Sequence, residues 1–296
     1  LWVGAGSEDP MRTLGCSIAL LVLAAGCSDA PSAANGNGNG SSREFVLHAL
    51  RRLETPAGSG AYKPSESTLH WPAAKTAVII CDMWDTHNCK SAARRVAEMV
   101  PRLNAFVRAA RARGAFVIHS PSDTTDKFYS EYAQRRLAKS APAAKPPMEI
   151  KARGYDPARE GPFPFDNSVW NCDDDPPCPI QKPYPWTRQH KDIEIGEGDA
   201  ITSNGQEVYN LCEQRGITNV LMVGVHTGHC IVGRPFGIRQ LVMLGRNVVL
   251  VRDLTDSLYN PRNPPHVTHE RGTELVVEHI EKYWCPSILS QDVIGR

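Results

Sequence analysis

A cysteine, an aspartate and a lysine in this chain have the chemistry and the placement to run covalent hydrolysis. Cys230 follows the apolar run Val220-Leu221-Met222-Val223-Gly224-Val225 and the polar elbow His226-Thr227-Gly228-His229, and precedes an amphipathic stretch over residues 231–245. A thiol at the start of a helix meets free backbone N–H groups and the positive end of the helix dipole, which favour thiolate. Asp82 closes a second apolar run, Thr76-Ala77-Val78-Ile79-Ile80-Cys81, which reads as a strand buried on both faces with a carboxylate at its C-terminal tip. That tip is where open α/β sheets bind ligands. Lys191 lies 39 residues before Cys230, ahead of the Ile193/Ile195 alternation. In such a set the aspartate takes the thiol proton and returns it to a leaving amine. The lysine holds the sulfur anionic, and the thiolate attacks a carbonyl carbon. The plainer alternative is that Cys230 is a small core residue.

From about Thr76 to the C-terminus these residues resemble the isochorismatase-like cysteine hydrolases, which include nicotinamidases and N-carbamoylsarcosine amidases. Asp82-Met83-Trp84-Asp85 resembles that family's Asp-Met-Gln-Asn element, and Gly224-Val225-His226-Thr227-Gly228-His229-Cys230 its Gly-Val-Ala-Thr-x-x-Cys element. The resemblance implies Asp82, Lys191 and Cys230 as catalytic residues, with Lys182 as an alternative lysine. It also implies a cis peptide at Val225-His226 and an oxyanion hole from the backbone N–H groups of His226 and Cys230. Trp84, Asp85 and His226 stand where the family has Gln, Asn and Ala, so the implied pocket is bulkier and no member's substrate transfers. Pro235 falls inside the expected post-cysteine helix, where it kinks or restarts it and weakens the dipole argument.

Trp84, His119, Asp123 and His226 are the expected substrate-binding residues; His119 and Asp123 could equally bind the loop that carries them, and His226 and His229 could cap backbone groups. A His/Asp metal site near Asp85, His87 and His119 is conceivable, but the expectation is no metal and no cofactor. The resulting function is hydrolysis of a C–N bond in a small amide or carbamoyl compound through a thioester. The alternatives are vinyl ether hydrolysis of the isochorismatase type, which needs no thiol, and a catalytically silent periplasmic binding protein.

Toward the N-terminus, Met11-Arg12, an apolar stretch over residues 18–25 and Gly26-Cys27 resemble a bacterial lipoprotein signal. Residues 1–26 are then upstream residues and signal, and 27–42, with Asn-Gly repeats, a flexible tether. Residues 43–296 form the hydrolase domain. The expected location is the periplasmic side of a bacterial membrane, held by a lipid on Cys27. Export would permit a Cys172–Cys178 bridge, though the prolines between them restrict it. As metal ligands that pair lacks a second Cys or His pair. Cys81, Cys89, Cys212 and Cys285 read as core or helix-face thiols.

With 33 basic and 32 acidic residues the chain is near neutral, which argues against nucleic acid and for a small-molecule partner. A homo-oligomer stays open. The elements expected to position the site are strands at 76–81, 115–118, 220–225 and 247–253 alternating with helices at 91–113, 126–139, 203–215 and 270–284. This pattern implies a three-layer αβα fold around a mainly parallel, doubly wound (Rossmann-like) sheet of about six strands, with right-handed crossovers. Residues 140–190 form a proline-rich insertion whose aromatics suggest a lid or an oligomer contact.

Overall fold

The computed structural model describes residues 43–295, so the signal, lipid and tether expectations, Cys27 included, lie outside the described residues. The sheet comprises β1 (Glu44–Glu54), β2 (Tyr62–Pro72), β3 (Thr76–Cys81), β4 (Phe116–Ser120), β5 (Ala200–Ile201), β6 (Asn219–Val225), β7 (Asn247–Asp256) and β8 (Ser287–Ile288). Their order is β2-β1-β8-β7-β6-β3-β4-β5. From β8 to β5 the pairing is parallel; β1 pairs antiparallel with both β2 and β8. The expected three-layer α/β fold is present, with eight strands rather than about six. The addition is mainly the β1–β2 hairpin, in which alternate residues Phe45, Leu47 and Ala49 are buried.

The helices are α1 (Lys90–Arg113), α2 (Thr125–Phe128), α3 (Ala133–Ser140), α4 (Gly205–Arg215), α5 (Ile238–Met243), α6 (His269–Tyr283) and α7 (Gln291–Ile294). The expected helix over 126–139 is broken into α2 and α3. Residues on β3 alternate between two cores because strand side chains alternate between faces. Ala77, Ile79 and Cys81 pack with α4, α5 and α6, while Val78 and Ile80 pack with α1. The α1 stripe Val96, Met99, Val100, Leu103, Phe106, Val107 and Ala110 is buried as its 3.6-residue spacing requires, and Pro101 is accommodated within the helix. Among the described residues no helix is long and apolar enough to cross a membrane.

Residues 141–199 contain no helix or strand, yet they are tied down along their length. Arg153 N donates to Gly233 O (2.8 Å), and Asn167 Nδ2 to Gly228 O (2.6 Å). Phe165 packs on Tyr259 with ring centroids 4.7 Å apart. Glu160 is the central anchor: its buried carboxylate accepts from Arg239 (2.8 Å), His279 Nε2 (2.7 Å) and Trp284 Nε1 (2.9 Å). Burial opposes its charge, but these donors outweigh burial and hold its pKa down at about 2. The folded-state pKa is thus below the ordinary value of about 4.3, so this stabilisation is complete above that value and disappears as pH falls toward 2. Glu160→Ala, which strands Arg239, should cost about 3–5 kcal/mol in urea unfolding at pH 7, and the deficit should shrink on acidification.

Candidate active site

Two strand tips meet because one residue between them has no side chain. Gly224, with φ +107°, sits where a Cβ would come within 2.1 Å of Cys81 O, so any other residue would force β3 and β6 apart. The β6–β7 pairing also slips between Met222 and Gly224, bending the end of β6. Beyond Val225 the Val225-His226 peptide is cis, as the resemblance implied. The elbow then closes a single π-helical turn over Thr227–Ile231, in which Cys230 lies. Past this turn only one further turn follows, closed by Arg234 N donating to Cys230 O at 3.0 Å, before Pro235 and a separate helix from Ile238, so the long helix expected after Cys230 is broken. The expected dipole stabilisation of a thiolate is correspondingly small.

Asp82 is fully buried and adopts a left-handed backbone (φ +47°), a conformation Asp tolerates better than most residues. Its Oδ1 accepts from Ser122 N at 2.7 Å and its Oδ2 from Arg234 Nε at 2.9 Å. The Cys230 thiol adjoins the same carboxylate, close enough that each shifts the other's pKa. Asp82 and Cys230 are thus brought together as the strand tips suggested. Lys191 is not: its side chain is 77% exposed and its Nζ binds the neighbouring Asp192 at 2.8 Å. The physical reason is the local pairing. Trp84 bridges Gln189 and His190 N donates to Met83 O (2.7 Å), after which the chain turns outward. Lys182 is exposed as well.

The cation at the site is Arg234. Its backbone N–H donates to Cys230 O (3.0 Å), so the two residues stand one helical turn apart, and i,i+4 side chains share a face. Burial works against the Arg234 charge, but the adjoining Asp82 carboxylate more than compensates and the guanidinium stays protonated. Burial raises the Asp82 pKa, while Arg234, the Cys230 thiol and Ser122 pull it down. Burial and then the Asp82 charge push the Cys230 pKa well up, against the pull of Arg234 and the His226 backbone N–H. Arg234 and Asp82 are placed as an ion pair at 2.9 Å, and Cys230 rests beside them as a thiol. Arg234→Gln should lower turnover at pH 7 by on the order of tenfold to a hundredfold and move the acid limb of the pH–rate profile upward, because Asp82 loses its cation. Lys191→Ala should leave both unchanged; steady-state kinetics across pH reads the two together.

The expected binding residues separate into different environments. His226 is buried beside the elbow, its ring 4.9 Å from that of His87. Trp84 stacks behind Trp186 at 4.2 Å and donates Nε1 to Ser122 O, so it supports the wall from behind. Asp123 is half-exposed, with Oδ2 4.0 Å from Arg234. His119 is not at the site. It pairs in register with Ile80, on the α1 face, and is fixed between Gln189 (3.0 Å) and Asp199 (2.9 Å). Nor do Asp85, His87 and His119 converge on a metal, since Asp85 accepts from the backbone and hydroxyl of Thr187.

Burial lowers the His87 pKa to about 4 and lowers those of His226 and His229, so all three imidazoles are neutral at pH 7. Ser122 Oγ, Asn167 Oδ1, Trp186 Nε1, His226 Nε2 and His229 Nδ1 are buried and lack a partner among the described residues. Further unpartnered groups, among them Arg135 Nε on α3 and Gln240 Nε2 on α5, lie elsewhere in the described residues, while Asn167, His226 and His229 belong to or bind the elbow. Their loops lie far apart in sequence, so only the buried aromatics of the insertion hinted at them.

No protein-family model matches the chain, and no curated protein matches it. Among solved structures it is similar to a cysteine hydrolase from Pseudomonas syringae pv. phaseolicola 1448A (15% identity, TM-score 0.48, covering 75% of this chain and 92% of that one). It is also similar to an isochorismatase from Pseudomonas putida KT2440 (10% identity, TM-score 0.45, 75% and 91%). A third is the pyrazinamidase of Pyrococcus horikoshii in complex with zinc (14% identity, TM-score 0.37, 68% and 94%). At such identities the likeness is one of fold, and the chemistry must come from Asp82, Cys230 and Arg234 themselves.

Proposed function

We propose that this protein is a cysteine hydrolase that cleaves the C–N bond of a small, uncharged amide or carbamoyl compound through a thioester on Cys230. The observation that carries the reading is the convergence of the Cys230 thiol and the Arg234 guanidinium on one buried carboxylate, Asp82. Asp82 takes the thiol proton as Sγ attacks the carbonyl carbon. The backbone N–H groups of His226 and Cys230 serve as the oxyanion hole. Protonated Asp82 then delivers the proton to the departing nitrogen. A water molecule attacks the thioester, with Asp82 again as base. Keeping the thiol protonated until substrate arrives avoids a standing thiolate beside a carboxylate.

Neutral histidines and stacked indoles around the elbow favour a flat, neutral substrate over an ionised one. Export and a lipid on Cys27 remain part of the proposal for where the reaction takes place. The test is ammonia release from a panel of aromatic and aliphatic primary amides and carbamoyl compounds, with quenched reactions digested and mapped by mass spectrometry. Turnover with an acyl adduct on Cys230 supports the proposal. Turnover without any adduct on Cys230, or no turnover across the panel alongside tight binding of its members, contradicts it.

A further inference from the structure

Three cysteines that the hydrolytic chemistry does not use gather around one carboxylate. Cys89 lies just before α1, while Cys172 and Cys178 belong to the insertion, and all three are free thiols. Their sulfurs each approach Asp174 Oδ2: Cys89 at 3.4 Å, Cys172 at 3.4 Å and Cys178 at 3.2 Å. The ligand atoms of Cys89, Cys172 and Asp174 all lie within 4.8 Å of one another. Cys89 and Cys172 are fully buried, and Leu258 and Trp170 pack against them. Cys89 supplies the partner that the Cys172/Cys178 pair lacks in the sequence.

The surroundings hold these donors in place. Ser91 Oγ donates to Asp174 Oδ1 at 2.7 Å, orienting the carboxylate so that Oδ2 faces the sulfurs. Asn260 Nδ2 fixes Cys172 O and Trp170 Nε1 fixes Cys178 O, each at 2.7 Å. Arg95 binds Asp173 at 2.7 Å, and Arg262 donates to Asp174 O at 2.6 Å, which places positive charge beside the cluster. A disulfide between any two of the cysteines would leave the third thiol and the oriented carboxylate without a function. Cys89, Cys172 and Asp174 converge, Cys178 Sγ reaches the same carboxylate oxygen at 3.2 Å, and three sulfurs with one oxygen have the donor chemistry of a tetrahedral site for a thiophilic divalent ion once Cys178 closes on it.

We propose that Cys89, Cys172, Cys178 and Asp174 form a structural site for a divalent metal ion of the zinc class. Binding replaces three S–H protons, so one ion enters, three protons leave, and the dianionic centre sits against Arg95 and Arg262. The ion pins the insertion to the start of α1. Two residues before Cys89 is His87, whose Nδ1 accepts from Cys89 N and whose ring faces His226, so the clamp also fixes the wall of the candidate active site.

The full chain, reduced and stripped with chelator, is titrated with cobalt(II) and followed by visible and near-ultraviolet absorption. The expected result is one equivalent with tetrahedral ligand-field bands and thiolate-to-cobalt charge transfer, displaced by zinc. Changing a residue that only orients a metal ligand weakens binding about 10–100-fold, so Cys178→Ser and Asp174→Asn should weaken it at least that much. Cys178 is only half-buried, so its variant should fold, which circular dichroism checks. A Cys16→Ser/Cys27→Ser variant should bind as wild type. Absence of tetrahedral thiolate bands, bands indifferent to Cys178→Ser and Asp174→Asn, or a disulfide among the three cysteines in protein mapped without reductant would each overturn the site.

Discussion

Cys230→Ala should abolish amide turnover, lowering kcat by about 10⁴-fold or more, while leaving the unfolding midpoint within about 1 °C of wild type. Removal of a covalent nucleophile takes away the step on which every other group in the site acts, and losses of about 10⁴–10⁶ are the measured scale for such changes. The small stability effect follows from the environment. Cys230 is only half-buried as a residue, the substitution removes a single sulfur, and the adjoining Asp82 keeps Arg234 and Ser122 N. Ammonia release at saturating substrate, read beside a thermal melt, checks both halves. A variant that keeps a tenth of wild-type activity would leave Cys230 as an ordinary core residue.

Asp82→Asn should be nearly as damaging. The amide keeps the shape of the carboxylate but cannot take a proton, so kcat should fall by about 10²–10⁴, the range for loss of a general acid–base group. In the wild type the base must be ionised, so activity should drop as pH falls through the Asp82 pKa, which burial places above the ordinary carboxylate value of about 3.9. That acid limb should vanish in the variant. Its persistence would assign the limb to another group.

Much of this site is readable from residue order. Asp82 and Cys230 announce themselves because each comes after an apolar run long enough to be a fully buried parallel strand, and the residues beyond such strands emerge at one edge of the sheet. The β1–β2 hairpin is not legible: Phe45, Leu47 and Ala49 face inward, but Val46 and Leu50 on the opposite face are apolar too, so no apolar/polar alternation marks the strand. Lys191 fails as the cation because it sits at the exit of a proline-rich insertion whose path no local rule fixes, and spacing to Cys230 alone does not say where its side chain points. Arg234, four residues after Cys230, carries the better signal, a shared helical face. The place of His119 follows from strand alternation: the residue paired with Ile80 must face α1. The thiol cluster is illegible in the sequence, because Cys89 and the Cys172/Cys178 pair are joined only by tertiary packing.

In this site Cys230 rests as a thiol, and Asp82, charged and held by Arg234, deprotonates it. The most direct test is the pH dependence of Cys230 alkylation with iodoacetamide, resolved by peptide mapping, in wild type, Asp82→Asn, Arg234→Gln and Lys191→Ala. The expected result is a wild-type midpoint above the free thiol value of about 8.5, a lower midpoint in Asp82→Asn, a higher one in Arg234→Gln, and none of these shifts in Lys191→Ala. A thiolate already formed below that value, unmoved by Asp82 or Arg234 and sensitive to Lys191, would contradict it.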